Sequence, residues 1–222
     1  EIADWSAAQY DDSAWCAAAV HHPPRPVIAA QMMEPNRTLD EIRAVAVQPV
    51  EGGYLIDMGR NYTGWFELDM PADLPRGTEV VMEFADKRFP DGKFQFYGQR
   101  SEYVARGGGG ERFCNRFNYA AFRYAVVRGL PRAPKPEEAR GRLVTTDYGT
   151  AVTFDCDNPL LNRVHEMICW TYHCLSLGGY TVDCPHRERL GYGGDSGTSM
   201  EMACSISIRG PSTPNGRRTG AT

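Results

Sequence analysis

Long apolar runs are missing from this 222-residue chain. None approaches the roughly 20 residues a helix needs to cross a bilayer, so no spanning helix and no membrane partner is expected. A basic excess is missing as well: the formal net charge of -4 leaves no electrostatic footprint for nucleic acid. Paired Cys-x-x-Cys spacings are absent. The seven cysteines are scattered and odd in number, which argues against a disulfide framework and against a zinc site. That usage favours a reducing, cytoplasmic setting. The opening Glu1-Ile2-Ala3-Asp4-Trp5 has no initiating Met and neither the basic nor the apolar region of a secretory signal. It reads as the interior of a longer protein.

What is present is ordinary globular composition, 42% hydrophobic and 23% charged, enough for one or two domains. One stretch stands apart: Asp183-Cys184-Pro185-His186-Arg187-Glu188-Arg189-Leu190-Gly191-Tyr192-Gly193-Gly194-Asp195. Pro185 lacks an amide proton and restricts Cys184 before it, while Gly191, Gly193 and Gly194 loosen the rest, so a loop is expected. Loops carried by a rigid scaffold are where chemistry concentrates.

Asp183, Glu188 and Asp195 are close enough in sequence for their carboxylates to converge. Like charges held together raise the pKa of at least one member, and a protonated carboxylic acid can protonate a departing glycosidic oxygen. Ionised neighbours accept bonds from sugar hydroxyls. Arg187 and Arg189 are expected to hold the carboxylates, and Tyr192 offers a flat face to a sugar ring. Two other readings stay open on residue types alone. One is a solvated turn tied by surface ion pairs. The other is a calcium loop, although the acids lack the alternate spacing of an EF-hand.

Residues 1–44 contain two proline clusters; His21-His22-Pro23-Pro24-Arg25-Pro26 reads as a connector rather than a metal site. From 45 to 148 the pattern is β, with strands expected at Tyr54–Ile56, Phe66–Met70, Val80–Phe84, Phe122–Val127 and Leu143–Thr146. Turn signals lie between them, including Pro75-Arg76-Gly77 and Gly107 to Gly110. Trp65, Phe94, Phe96 and Tyr97 are expected in a core or against a neighbouring domain rather than as a sugar-stacking patch. From 149 to 208 the period becomes helical. Asn158 caps a helix, Pro159 starts it, Leu161, Val164, Ile168, Tyr172 and Leu175 form its stripe, and Gly178 stops it. His165, Cys169 and His173 share a helical stripe and are expected to pack rather than bind metal. A second helix is expected from Thr198 to Ile206, and residues 209–222 read as a disordered or foreign tail.

Gly178 through Asp195 closely resembles the catalytic motif of the bacterial α-L-rhamnosidases, glycoside hydrolase family 78. Members commonly carry Asp-Cys-Pro-Gln-Arg, then Glu-Arg, a hydrophobic residue, Gly, Trp and a Gly-Asp pair. Gly53-Tyr54-Leu55-Ile56-Asp57-Met58-Gly59-Arg60-Asn61-Tyr62-Thr63-Gly64-Trp65 is similar to the opening of the family's concanavalin-like domain, and Asp11-Asp12-Ser13-Ala14-Trp15 to the close of an upstream β-domain. The resemblance implies a mainly antiparallel β-sandwich, followed by the first helices of an incomplete (α/α) six-hairpin barrel. It implies inverting hydrolysis of terminal α-L-rhamnosides, with Glu188 as general acid and Asp183, Arg187 and Asp195 on the sugar. Tyr192 stands where many members have tryptophan, and His186 replaces a frequent glutamine. The expected partner is a rhamnose-containing glycoside, without cofactor or metal. The family's base comes from a later segment that this chain lacks, and Glu201 is the nearest substitute by position. The isolated chain is therefore expected to be inactive. A non-catalytic carbohydrate-binding sandwich and another glycosidase of the helical-barrel class are the alternatives.

Overall fold

The computed structural model describes residues 4–22, 27–149 and 153–206. The tail expected over 209–222 and the prolines of the first connector lie outside that set. Two compact units are present, Glu1–Gln31 and Met32–Thr222. The described part of the first is a series of turns, with Tyr10 N donating to Ala7 O at 3.0 Å and the Tyr10 and Trp15 rings 5.5 Å apart.

The second unit holds an eight-stranded antiparallel sheet: β1 (Asn36–Arg43), β2 (Ala46–Val50), β3 (Gly53–Asp69), β4 (Glu79–Arg88), β5 (Phe94–Val104), β6 (Arg112–Cys114), β7 (Ala120–Arg128) and β8 (Ala139–Thr146). The main order is β1-β8-β3-β7-β4-β5, with β2 and β6 also paired to β3. The sheet starts at Asn36, not at residue 45. Thr38-Leu39-Asp40-Glu41 offers weak alternation, and β1 forms by completing the edge of β8 with a shift in register after Thr38.

β3 organises the sheet because it changes partners along its length. It pairs with β2 up to Asp57 and with β7 up to Gly64, then with β8 and β6 from Gly64 onward. Between Asp57 and Tyr62 the register with β7 shifts, a bulge that bends the strand. Gly59 takes φ +80° there, and its amide donates to Asp57 Oδ1 at 2.7 Å. Arg123 grips the same carboxylate twice, at 2.8 and 3.0 Å. Burial pushes the Asp57 carboxyl up, but Arg123 and the Gly59 amide outweigh it and hold it below the ordinary aspartate value. At Gly64 a Cβ would stand 1.8 Å from Arg142 O, so only glycine lets β8 approach.

Alternation along β3, β4 and β7 aims Tyr62, Phe66, Phe84 and Phe122 into one cluster, with ring centroids 4.5–5.9 Å apart. Ile56, Met58, Leu68, Met82 and Leu143 complete this core, all almost fully buried.

Helix α1 (Pro159–Leu175) begins as the sequence predicts: Asn158 Oδ1 accepts from Leu160 N at 3.0 Å and Pro159 takes the first position. It docks on the sheet through a face the stripe analysis overlooked. Trp170 and Cys174 pack on the main core, Trp170 Nε1 donates to Asn61 O at 2.7 Å, and the Arg60 guanidinium stacks 3.3 Å from the Trp170 ring. The bulge in β3 presents Asn61 and Arg60 for this purpose. Burial pushes the Cys174 thiol up to about 11. The predicted stripe remains largely open: only Tyr172 is buried, while Leu161, Val164 and Ile168 are 40–50% exposed.

The exit from α1 differs from the expected helix stop at Gly178. The helix ends at Leu175, and β9 (Ser176–Leu177) pairs with β10 (Tyr180–Thr181) across Gly178-Gly179. Both glycines have positive φ, +64° and +81°, as a two-residue hairpin turn that continues the strand twist requires. The sheet's edge holds this turn. Gly178 N donates to Asn36 Oδ1 at 2.9 Å, Gly179 N to Thr146 Oγ1 at 3.0 Å, and Thr146 Oγ1 to Asn36 Oδ1 at 3.0 Å. Helix α2 (Gly193–Ile206) begins at Gly193, ahead of the expected Thr198, so the last three residues of the presumed loop are helical. Asp195 in the first turn suits the positive end of the helix, and Thr198 and Ser199 hydroxyls donate back to Gly194 and Asp195 carbonyls.

Candidate active site

The segment from Asp183 to Leu190 closes on itself. Asp183 N donates to Leu190 O at 3.0 Å, and Leu190 N returns a bond to Asp183 Oδ1 at 3.1 Å. Inside the ring, Cys184 O accepts from Arg187 N and Arg189 N at 3.0 and 3.1 Å. The loop is seated by buried Val182 and Pro185, and Val182 belongs to a small second cluster with Val144 and Leu177. Partly buried Trp65 and Tyr119 pack on that cluster.

Two of the three predicted carboxylates meet. Donor atoms of Asp183, Cys184 and Glu188 all lie within 4.8 Å of one another. Asp195 stands apart from this group, half-buried on α2. Glu188 is exposed, and Arg187 Nε sits 3.2 Å from Glu188 Oε2. Arg187 Nη2 also lies 3.4 Å from Cys184 Sγ. The group has the spacing of a cation site, but the guanidinium already brings positive charge to two of its three members. Tyr192 is exposed just before α2.

Arg189 departs from expectation. It does not hold a carboxylate of the loop. Its backbone takes φ +59°, a left-handed conformation costing about 1 kcal/mol or more outside glycine, and its side chain turns to the sheet. Nη1 donates to Asn118 Oδ1 at 2.8 Å and Nη2 to Gln99 Oε1 at 3.3 Å, with the guanidinium 4.9 Å from the Tyr119 ring centroid. Burial pushes the Tyr119 phenol up, Arg189 opposes this, and the Asp183 carboxylate adds to it, so Tyr119 lies within electrostatic reach of Asp183.

His186 turns toward β4 and β5. Its ring stacks 4.7 Å from Tyr97, and Nε2 is 3.8 Å from Asp86 Oδ2 on β4. Arg187 covers the Tyr97 ring at 5.5 Å. Tyr97 and Trp65 thus face the loop segment, while Phe94 and Phe96 pack with each other at 6.0 Å. Gln99, Asn118, Tyr119 and Asp86 were not singled out in the sequence; each sits far along the chain from the loop it touches. On α1, Cys169 Sγ lies 3.4 Å from His165 Nε2, but His173 does not join them in a three-donor group among the described residues.

The fold is thus an antiparallel β-domain followed by two helices, with a loop between them that brings two acids beside an arginine. Residues 48–145 match the bacterial alpha-L-rhamnosidase concanavalin-like domain, and residues 150–207 match the bacterial alpha-L-rhamnosidase 6 hairpin glycosidase domain. The chain belongs to the bacterial α-L-rhamnosidases. It is 30% identical over 216 residues to an alpha-L-rhamnosidase of Formosa agariphila, covering 91% of this chain and 22% of that protein. It resembles the structure of the Dictyoglumus thermophilum alpha-L-rhamnosidase with a TM-score of 0.85 at 30% identity, covering 93% of this chain and 24% of that one. For the Streptomyces avermitilis enzyme, complexed with L-rhamnose, the TM-score is 0.74 at 30% identity, covering 81% and 18%. The chain thus spans about a quarter or less of the length of these relatives.

Proposed function

We propose that this chain is the acid-bearing part of an enzyme that removes terminal α-L-rhamnose from glycosides with inversion. Glu188 is the general acid. Asp183, Arg187 and Asp195 hold rhamnose hydroxyls, and Tyr192 supplies an apolar face for the ring. In domain terms, the segment ahead of β1 closes an upstream β-domain, β1 to β8 form the sandwich and residues 149–208 open the catalytic barrel. The carrying observation is the approach of Asp183 and Glu188 to within 4.8 Å, beside Arg187.

That approach also argues about roles. An inverting pair needs carboxyl groups about 6.5–9.5 Å apart to admit the attacking water. Asp183 is too close to Glu188 to be the base and suits the part of a companion that binds the sugar. No residue of this chain is assigned as base, so the chain alone binds without turnover.

The test uses an aryl α-L-rhamnoside with the purified chain and with the complete gene product. The gene product should release rhamnose, its first-formed anomer inverted by proton NMR. Glu188→Gln should cut kcat by about 10²–10⁴-fold. The chain alone should release none. Retained configuration would sink the inverting assignment, and turnover by the chain alone would sink its inactivity.

A further inference from the structure

We infer that Arg189 is a positioning residue: it fastens the acid-bearing loop to the β-sheet, so that β5 and the segment before β7 set where Glu188 stands. The inference rests on the assignment of Glu188 as proton donor. It makes the sheet part of the catalytic apparatus.

Arg189 follows Glu188 directly, and its left-handed backbone is a conformation that an arginine holds only where its surroundings enforce it. What enforces it is a prepared receptor. Gln99 is 6% exposed, and its carboxamide cannot turn: Nε2 donates to Ala121 O at 3.0 Å while Oε1 accepts from Ala121 N at 2.8 Å. That same Oε1 takes Arg189 Nη2, and Asn118 Oδ1 takes both Nη1 and the Tyr119 amide. Two acceptors fixed by neighbouring backbone therefore meet the two arms of one guanidinium, and the Tyr119 ring closes its face. A lysine has no planar fork to match this pair of acceptors.

The anchor reaches the acid pair through the loop's own bonds. The Arg189 amide holds Cys184 O, and the next amide, that of Leu190, holds Asp183 Oδ1. A shift of Arg189 thus moves Glu188 and Asp183 relative to each other. Displacements near 1 Å are enough to cost about 10²-fold in rate.

Two measurements decide it. The first is amide exchange by mass spectrometry on the 222-residue chain, in wild type, Arg189→Ala, Arg189→Lys and Asn118→Ala. In Arg189→Ala the peptide covering 183–190 should lose protection, while peptides from β3 and β7 keep theirs; unchanged protection at 183–190 overturns the inference. The second is steady-state kinetics on the complete gene product. Arg189→Ala should lower kcat by about 10- to 100-fold with KM changed less than about twofold. Arg189→Lys should recover little of this, and Asn118→Ala should fall part of the way. Wild-type kcat in a folded Arg189→Ala protein overturns the anchoring role. Should Arg189→Ala fail to fold, Asn118→Ala carries the test, because it leaves the loop sequence intact. Activity that survives Glu188→Gln strikes the functional assignment instead and leaves the exchange result standing.

Discussion

The sheet and the helical segment after it are completed to different degrees. Inside the sheet, Phe66, Phe122 and Ile56 have no exposed surface, and the ring cluster fills its own space. On α1, Leu160 is 68% exposed, Met167 57% and Leu161 50%. A groove of about 290 Å³ lined by Met167, Ile168, Tyr172, Leu175 and Met202 lies open between α1 and α2. The sheet satisfies its own apolar pattern, whereas the helices hold theirs out. The acid-bearing loop lies at the junction and takes its anchors from the completed side. Precision at the site is therefore borrowed from the sheet.

The comparison predicts unequal responses to substitution. Phe122→Ala removes a fully buried ring touching three others and should cost about 3–5 kcal/mol in urea unfolding followed by tryptophan fluorescence. A cost below 1 kcal/mol would show that the sheet is not the stable body. Asp57→Asn should cost about 1.5–3 kcal/mol at neutral pH, since the charged group accepts two bonds from Arg123. Its folded carboxyl is held below the ordinary value of 3.8, so the stabilisation is full above that value and fades as pH falls through the folded one. The gap between wild type and Asp57→Asn should therefore narrow on acidification from about pH 5 to 3, and a constant gap would remove the ion pair from the account. Leu161→Gln on the open face of α1 should change stability by no more than about 0.5 kcal/mol. A large loss there would mean that the face is covered in solution, and the contrast between the two regions would fail.

Much of this arrangement was legible in the sequence. The alternation Phe66-Glu67-Leu68-Asp69 and the run Val80 to Phe84 lie in strands where expected, with Met70 one residue past the end of β3, because a half-buried pleat enforces period two. Asn158-Pro159 gave the start of α1 by local chemistry alone. What escaped depends on partners distant in sequence. β1 exists because β8 has a free edge. Gly178 looked like a helix stop because its role as half of a hairpin turn needs Asn36 and Thr146. Arg189 looked like a partner for nearby acids because nothing local marks Gln99 or Asn118 as receptors. Charge proximity along the chain pointed one way, and two fixed amide oxygens prevailed. Trp170 was hidden for the same reason, since its acceptor is a carbonyl exposed by a bulge in β3.

The bond from Gly178 to Asn36 has a practical bearing on dissection of the molecule. A shortened piece that starts at residue 45 would discard the clasp that fixes the way out of α1, along with the strand that carries it. Anyone trimming this protein for crystals or for grafting should keep the cut ahead of Asn36, where the described backbone carries no strand or helix.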